Sequence, residues 1–448
     1  KEPEEYASLD IEALKYYEGE LKEHKDLFFM MAVYRKCKTA LMWFRDNVEK
    51  FMTTGPDPWW PGQRASQWLN VIFHRLRTVG TVSGRKSSSD YNAQQVPKRF
   101  KMLLDAIRLM DIVKAYLPDS QFKELWSALD ISECKTGDEA KVLGLNLGDP
   151  VVDFSVRSMF VPRPGKRQRA WDLSQVEMRL FAHFSGNRLL CEGYGAPMTE
   201  DEIDAELGAI RSMITDDLSM EEALHKCDVR RHSRSDDETS KFDIHQFVAD
   251  ELSIARKPAK AINFGIVYGM GKKKLARNLG FGLAQGKAYL AQYHARFPEI
   301  AGIQAKIKTR LRDRGYIFDP GGRRYYLEIR RAYVGLNRLI QGYAAFVFKI
   351  GFVRVCELFA SKAFGGTEPH PITRRRHMND CMVNTCIHDE LLGEVKTSMN
   401  HGLVDFSVRS CLTLIHGLRV PLGTSSEDGD SWDGADDYHT DDFRGIAA

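Results

Sequence analysis

The stretch Met382–Val395, "MVNTCIHDELLGEV", holds two extended apolar runs on either side of His388, Asp389 and Glu390. Short β-prone runs around a polar break are the pattern of a β-hairpin, and this one would carry its acids at the tip. A further acid, Asp172, precedes "LSQVEMRLFAHF", where Val176, Leu180, Phe181 and Phe184 fall on one helical face. Asp172 is therefore predicted at a strand-to-helix junction, with the helix beginning just after it. Taken singly, Asp172 reads as a helix N-cap and Asp389 as a turn residue. Taken together, two carboxylates on separate strands are what a pair of hard divalent ions requires. Periodicity alone does not say that they meet.

Outward from the hairpin, "RKPAKAINFGIVYGMG" (Arg256–Gly271) sets Arg256, Lys260, Phe264 and Tyr268 four residues apart. On an α-helix these form one stripe. Pro258 suits the first turn, so the helix is predicted to start at Lys257 or Pro258. The positive end of its dipole then lies beside two cations, a good seat for phosphate, and the aromatics a turn or two later offer faces on which a base can stack. The alternative is an amphipathic helix with solvated cations and core aromatics.

Bulk properties narrow the choice. At 448 residues the chain can bury a large core and hold two or three domains. No unbroken apolar run approaches the roughly 20 residues of a membrane span, and no targeting signal is visible. A net charge of +3 hides an asymmetry: residues 421–448 carry eight acids and one base, leaving 63 basic against 53 acidic residues, or +10, in residues 1–420. Such a balance permits nucleic-acid binding without requiring it. The eight cysteines form no C-x-x-C pair, which points to free thiols in a reducing compartment rather than to zinc or disulfides. "GMGKKK" lacks the glycine and Ser/Thr of a P-loop. Tyr6 and Asp10 stand in a Y-x-x-x-D arrangement with no D-x-E before it, so no exonuclease site is expected.

Residues 8–52 and 99–130 have helical periodicity, as does most of Ile244–Leu311. "TTGPDPWWPGQ" (Thr53–Gln63), "TVSGRKSSSDYNAQQVP" (Thr81–Pro97) and "KTGDEAKVLGLNLGDP" read as breaks or loops. Residues 196–240 are charge-rich and read as a mobile surface insertion, and the acidic C-terminal stretch as a solvated or disordered end. The strand before Asp172, "GKRQRAW", is so polar that its burial is in doubt.

Three of these segments, "WDLSQVEMRLFAHFSG", "RKPAKAINFGIVYGMG" and "CIHDELLGEV", resemble in order and spacing motifs A, B and C of family A DNA polymerases. "TVSGRKSSSDYNAQQVP" is similar to the family's segment before motif A. "GYIFDPGGRRYYL" followed by "LNRLIQG" is similar to the one before motif C, and "YRKCKTAL" to its thumb. The resemblance runs from about residue 8 to 420, and the closing segment is similar to phage-type members. It implies an α+β, right-hand fold with an antiparallel-sheet palm and helical fingers and thumb. The thumb would span 1–75, the first part of the palm 76–194 with an insertion near 99–150, the fingers 195–320 with an insertion near 195–240, and the rest of the palm with the acidic tail 321–448.

The same resemblance implies a template-directed DNA polymerase that adds deoxynucleotides to a primer 3′-hydroxyl and releases pyrophosphate, in replication or repair. Asp172 and Asp389 would hold two Mg²⁺ ions, with Mn²⁺ able to substitute, the Leu173 carbonyl as a further ligand and Glu390 in support. Glu177 would crowd a ribose 2′-hydroxyl. Arg256, Lys260 and His245 would hold the triphosphate, Lys260 would also protonate the departing pyrophosphate, Phe264 and Gln175 would line the nucleotide site, and Tyr268 would lie near the template base. Arg85, Asn92, Gln94, Gln95, Asn337, Gln341 and His388 would contact the primer–template. The partners expected are primer–template DNA and deoxynucleoside triphosphates, with an exonuclease or helicase upstream or separate, no membrane, and a monomer in the cytoplasm, the host cell's if a phage encodes it. The rival readings are a single-subunit-type RNA polymerase and a non-catalytic DNA-binding relative.

Overall fold

Nine residues, Lys166–Ser174, form the strand around which the described part of the chain is organised. A computed structural model describes residues 27, 30, 31, 34, 52–55, 69–72, 75–77, 81, 84–89, 96, 100–101, 153–154, 157, 160–215, 222, 242–267, 269, 282–367, 378–432 and 435–437. The chain divides into two units, residues 1–75 with 89–160 and residues 76–88 with 161–448. In the first unit, Met52–Gly55 pairs antiparallel with Leu69–Ile72, and Phe100–Lys101 with Asp153–Phe154. Most of the predicted helices of 8–52 and 99–130, like Asn92, Gln94, Gln95 and Tyr268, lie outside the described residues.

In the second unit β1 (Lys166–Ser174) is followed by α1 (Val176–Ser185), α2 (Arg188–Tyr194) and α3 (Glu200–Thr215). Next come α4 (Ile244–Leu252), α5 (Arg256–Val267), α6 (Leu283–Arg296) and α7 (Pro298–Arg314). A small hairpin, β2 (Tyr316–Phe318) and β3 (Arg324–Tyr326), leads to the 25-residue helix α8 (Gly335–Phe359). The chain continues through β4 (Cys381–Ile387), β5 (Glu390–Lys396), α9 (His401–Thr413), β6 (Gly423–Gly429) and β7 (Ala435–Asp437). The five long-range strands make one antiparallel sheet in the order β4-β5-β1-β6-β7. Helices and an antiparallel sheet in one unit make the fold α+β, as expected.

Two stretches that read badly as sequence account for each other. Most of the polar residues of "GKRQRAW" are inside the sheet: Lys166, Gln168 and Arg169 are buried, Arg169 completely, and Arg167 partly. The described start of the acidic C-terminal stretch is not a loose end either, because Gly423–Gly429 pairs along β1, with Asp428 opposite Arg169. Arg167 Nε reaches Asp428 Oδ2 at 2.9 Å, and Arg169 Nη1 reaches the buried Asp405 Oδ1 of α9 at 3.3 Å. On the other neighbour, Glu394 of β5 is buried and accepts from Arg163 Nη1 at 2.5 Å and Lys166 Nζ at 3.2 Å. A buried charge is tolerated when it is paired and hydrogen-bonded, so the polar strand and the acidic strand are complementary halves of one interior.

Other expectations also shift. The helix after Asp172 begins at Val176, because the strand continues to Ser174 and Gln175 turns the chain with φ 52°. Asp172 is thus a strand residue and not an N-cap. The segment read as a surface insertion contains α3, whose Ile203, Ala209, Ile210 and Met213 are buried. Apolar residues at helical spacing in 200–215 outweigh the charge between them. Ile329–Phe359 contains a window long and apolar enough to cross a membrane by length and composition, although Arg338, Lys349 and Arg354 interrupt the stretch; half of that window is buried. An apolar helix sheathed by other elements is a core helix.

That helix approaches α9 closely where Gly351 meets it: a Cβ there would lie 2.8 Å from Leu412 Cα and 3.0 Å from the Cys411 carbonyl oxygen. Backbone cannot yield as a side-chain tip can. Gly351→Ala is expected to cost about 1–3 kcal/mol through overpacking, seen as a lower urea midpoint at unchanged slope. An unchanged midpoint would show that the two helices are free to separate.

Candidate active site

The sheet register brings the acids together. Asp172 stands directly opposite Glu390, and Leu173 N donates to the Asp389 carbonyl oxygen at 3.2 Å. Opposite residues of antiparallel strands project to the same face with Cβ atoms about 5 Å apart, so Asp172 and Glu390 share one face. Alternation turns Trp171 and Leu173 to the other face, where both are buried. Asp389 occupies the hairpin turn, helped by His388 in a left-handed conformation at φ 53°. Asp172 and His388 are exposed, Asp389 and Glu390 partly buried.

Electrostatics follow from that crowding. Burial pushes the Asp389 carboxyl above the usual carboxylate range, the Arg85 cation works against this, and Glu177 adds to it. Glu177, in the first turn of α1, is held by Arg85 Nη2 at 2.5 Å and by Gln341 Nε2 of α8 at 3.4 Å. The sugar-gate candidate and two primer-contact candidates therefore form one cluster. Asn337 lies one turn before Gln341 on the same helix, and its Oδ1 is buried with no hydrogen-bond partner among the described residues.

On α5, one face is buried through Ala259, Ile262, Asn263, Ile266 and Val267, while Arg256 and Lys260 are exposed and Phe264 is partly buried. The two cations therefore lie off the core, while Phe264 packs against its edge. The helix starts at Arg256, one or two residues earlier than expected. Arg256 Nε pairs with Asp243 Oδ2 at 2.6 Å, and Asp243 in turn caps α4 through His245 N and Gln246 N. His245 is buried, its ring 5.3 Å from that of Phe264 and its Nδ1 3.0 Å from Asn263 Nδ2. Burial lowers its pKa, Asp243 opposes, and Lys260 and Arg256 lower it further, so the ring is neutral near pH 7. Gln175 accepts from the Tyr194 hydroxyl at 3.1 Å and donates to the Phe242 carbonyl at 3.2 Å. These bonds tie the strand-to-helix bend to the α2 end.

Could this face take a divalent cation? Asp172, Asp389 and Glu390 offer only carboxylate oxygens, the donors hard cations prefer. Among the described residues no three His, Cys, Asp or Glu side chains form a cage. Mg²⁺ seldom uses such cages, binding through one or two carboxylates with substrate phosphates completing the shell. The donor set fits.

Comparison with known proteins places the fold. The sequence profile described as DNA polymerase family A matches residues 150–434. The chain belongs to DNA polymerase family A. This family A chain is 29% identical over 270 residues to DNA polymerase I of Helicobacter pylori, covering 58% of the chain and 24% of that protein. It is 23% identical over 380 residues to DNA polymerase I of Caldicellulosiruptor bescii, covering 82% and 33%. It is 27% identical over 192 residues to the DNA polymerase of Mycobacterium phage L5, covering 43% and 25%. The chain thus spans a quarter to a third of the length of these relatives. In structure it resembles the POL domain of Pol1 from M. smegmatis, solved in complex with DNA primer-template and dNTP. The TM-score is 0.57 at 21% identity, over 95% of this chain and 56% of that one.

Sequence reasoning missed several residues that hold this site. Trp432 Nε1 donates to Glu390 Oε1 at 3.0 Å, although the sequence placed Trp432 in a solvated tail. Arg179, fully buried, donates to the Ser174 and Pro421 carbonyls at 2.9 and 2.8 Å and covers the Tyr194 ring at 4.8 Å. A lone Arg within "VEMRLFAHF" gives no signal that it points inward.

The raised Asp389 carboxyl has a thermodynamic consequence. Its folded pKa exceeds its unfolded one, so the stability it contributes is present below the unfolded value and lost as pH rises through the folded value. In chelator, Asp389→Asn is expected to melt higher than the native chain at pH 8, with the gap closing toward pH 4. A gap independent of pH would contradict the burial of that carboxyl.

Proposed function

We propose that this chain is the catalytic part of a template-directed DNA polymerase, extending a primer with deoxynucleotides. The single observation that carries the reading is the register that sets Asp172 against Glu390 beside the Asp389 turn, in a chain that also holds a helix with Arg256 and Lys260 exposed at its start. Phosphoryl transfer asks for positioning and charge stabilisation rather than covalent help, and this face supplies both.

In this reading Arg256 and Lys260 bind the triphosphate at the helix start, where two cations and the dipole act together. Neutral His245 donates a hydrogen bond to the phosphates. Lys260 passes a proton to the leaving pyrophosphate as the primer 3′-hydroxyl attacks the α-phosphate in line. Phe264 packs against the sugar and base, with Gln175 below and Tyr268 toward the template. Glu177, pinned by Arg85 and Gln341, leaves no room at C2′ for a hydroxyl. Arg85, Asn337, Gln341 and His388, joined by Asn92, Gln94 and Gln95, meet minor-groove acceptors that all base pairs share. Asp172, Asp389 and the Leu173 carbonyl would hold two Mg²⁺ ions, or Mn²⁺ in their place, and when bound these would stabilise charge on the reacting oxygens.

The sheet would be the palm, residues 195–320 the fingers and 1–75 the thumb, acting as a monomer on primer–template DNA. The described cysteines are free thiols, which suits the cytoplasm of a cell or of a phage-infected host.

Primer extension on a defined template tests the whole reading, with deoxy- and ribonucleotides compared side by side. Asp389→Ala is expected to lower the extension rate at least about a thousandfold while primer–template affinity stays within about threefold. Binding without extension by the native chain would favour a non-catalytic relative, and equal use of ribonucleotides an RNA polymerase. Glu177→Ala is expected to raise ribonucleotide incorporation, and an unchanged sugar preference would remove Glu177 as the gate.

A further inference from the structure

The face of the sheet turned away from the acids holds a charge cluster that the reaction as described does not use. Asp405, on α9, is fully buried. Its Oδ1 accepts from Trp171 Nε1 at 2.9 Å and faces Arg169 Nη1 at 3.3 Å, while its Oδ2 lies 2.7 Å from Arg409 Nε. Arg409 continues to β6, reaching Ser426 Oγ at 3.0 Å and the Thr424 carbonyl at 3.4 Å. Asp428 Oδ1 lies 3.5 Å from Arg169 Nε. One carboxylate thus fastens helix α9 to β1 directly and to β6 through Arg409.

The place of attachment matters. Trp171 immediately precedes Asp172, and in a strand neighbouring side chains point to opposite faces. Fixing the indole on the covered face therefore fixes the backbone that aims Asp172 on the open face. Ser426, the residue paired with Trp171 across β6, belongs to the same network, so the strand is held at that one level from two sides. Apolar packing alone would hold Trp171 without choosing its rotation. The N–H···O bond to a carboxylate that is itself locked between two guanidiniums does choose it.

We propose that Asp405 is a positioning residue, acting through the Trp171 indole to aim the Asp172 carboxylate at a divalent cation. The proposal rests on the polymerase reading above. Partners one layer behind a ligand commonly change cation affinity or activity 10- to 100-fold. Asp405 lies two layers behind, and the low end of that range is expected.

The test measures Mn²⁺ affinity by electron paramagnetic resonance on the full chain bound to a dideoxy-terminated primer–template with the next nucleotide, alongside thermal melting. Trp171→Phe removes the N–H and keeps the ion pairs, so it is expected to fold, to melt below the native chain as Phe359→Leu does, and, unlike Phe359→Leu, to bind Mn²⁺ about tenfold more weakly. Asp405→Asn tests the charge, and is expected to weaken Mn²⁺ binding at least as much wherever it folds. Phe359→Leu loosens the edge contact to the Trp171 ring, 6.3 Å between centroids, without touching the N–H bond, and should lower the melt with Mn²⁺ affinity unchanged. Native affinity in Trp171→Phe would overturn the proposal, as would equal loss in Trp171→Phe and Phe359→Leu. Failure of the native complex to bind Mn²⁺ at all would instead overturn the polymerase reading.

Discussion

Everything at the site depends on the antiparallel register between β1 and β5. A slip of one residue would send Asp172 to the covered face and bring Trp171 into the open, because side chains alternate strictly along a strand. The observed register sets Asp172 opposite Glu390 and leaves Asp389 in the turn beside them. Like charges so placed repel, and burial adds to the cost at Asp389. Among the charges near Asp389, the Arg85 cation opposes that cost while Glu177, to which it is paired, adds to it.

The sheet keeps that register by unusual means. Its central strand brings Lys166 and Arg169 into the interior with Arg167 at its margin, and β5, β6 and α9 answer with Glu394, Asp428 and Asp405. Replacing such pairs with apolar residues is often neutral for stability, whereas removing one partner costs about 3–5 kcal/mol. What the pairs add is selectivity, since a strand shifted by one residue would leave each buried charge without its mate. In a strand that must present a carboxylate on one face, that selectivity serves function as well as folding.

The candidate site motifs were legible in the sequence because the chemistry proposed for them forces the pattern. The hairpin needs extended runs around an acidic turn, and a helix offering cations and then aromatics to one ligand needs a stripe at four-residue spacing. The supporting shell was not legible. The polarity of "GKRQRAW" argued against burial and the acidity of residues 427–430 against order, and only the pairing of β1 with β6, with Asp428 beside Arg167 and Arg169, accounts for both strands. No local rule carries that information, since Arg167 and Asp428 are 261 positions apart. Separation along the chain likewise hid Trp432 behind Glu390, 42 positions away, and Asp405 behind Trp171, 234 positions away. The start of α1 was misplaced because the strand carries polar residues to its end, where periodicity has nothing to count.

The central claim is that Asp172 and the Asp389 turn share divalent cations once substrate is in place. Its most direct measurement is anomalous diffraction from Mn²⁺ in crystals of the chain with a terminated primer–template and an incoming nucleotide. The account requires peaks lying between the two aspartates, each within about 2.0–2.3 Å of oxygens from both the protein and the triphosphate. Peaks elsewhere, or a nucleotide bound with neither aspartate touching a cation, would contradict it.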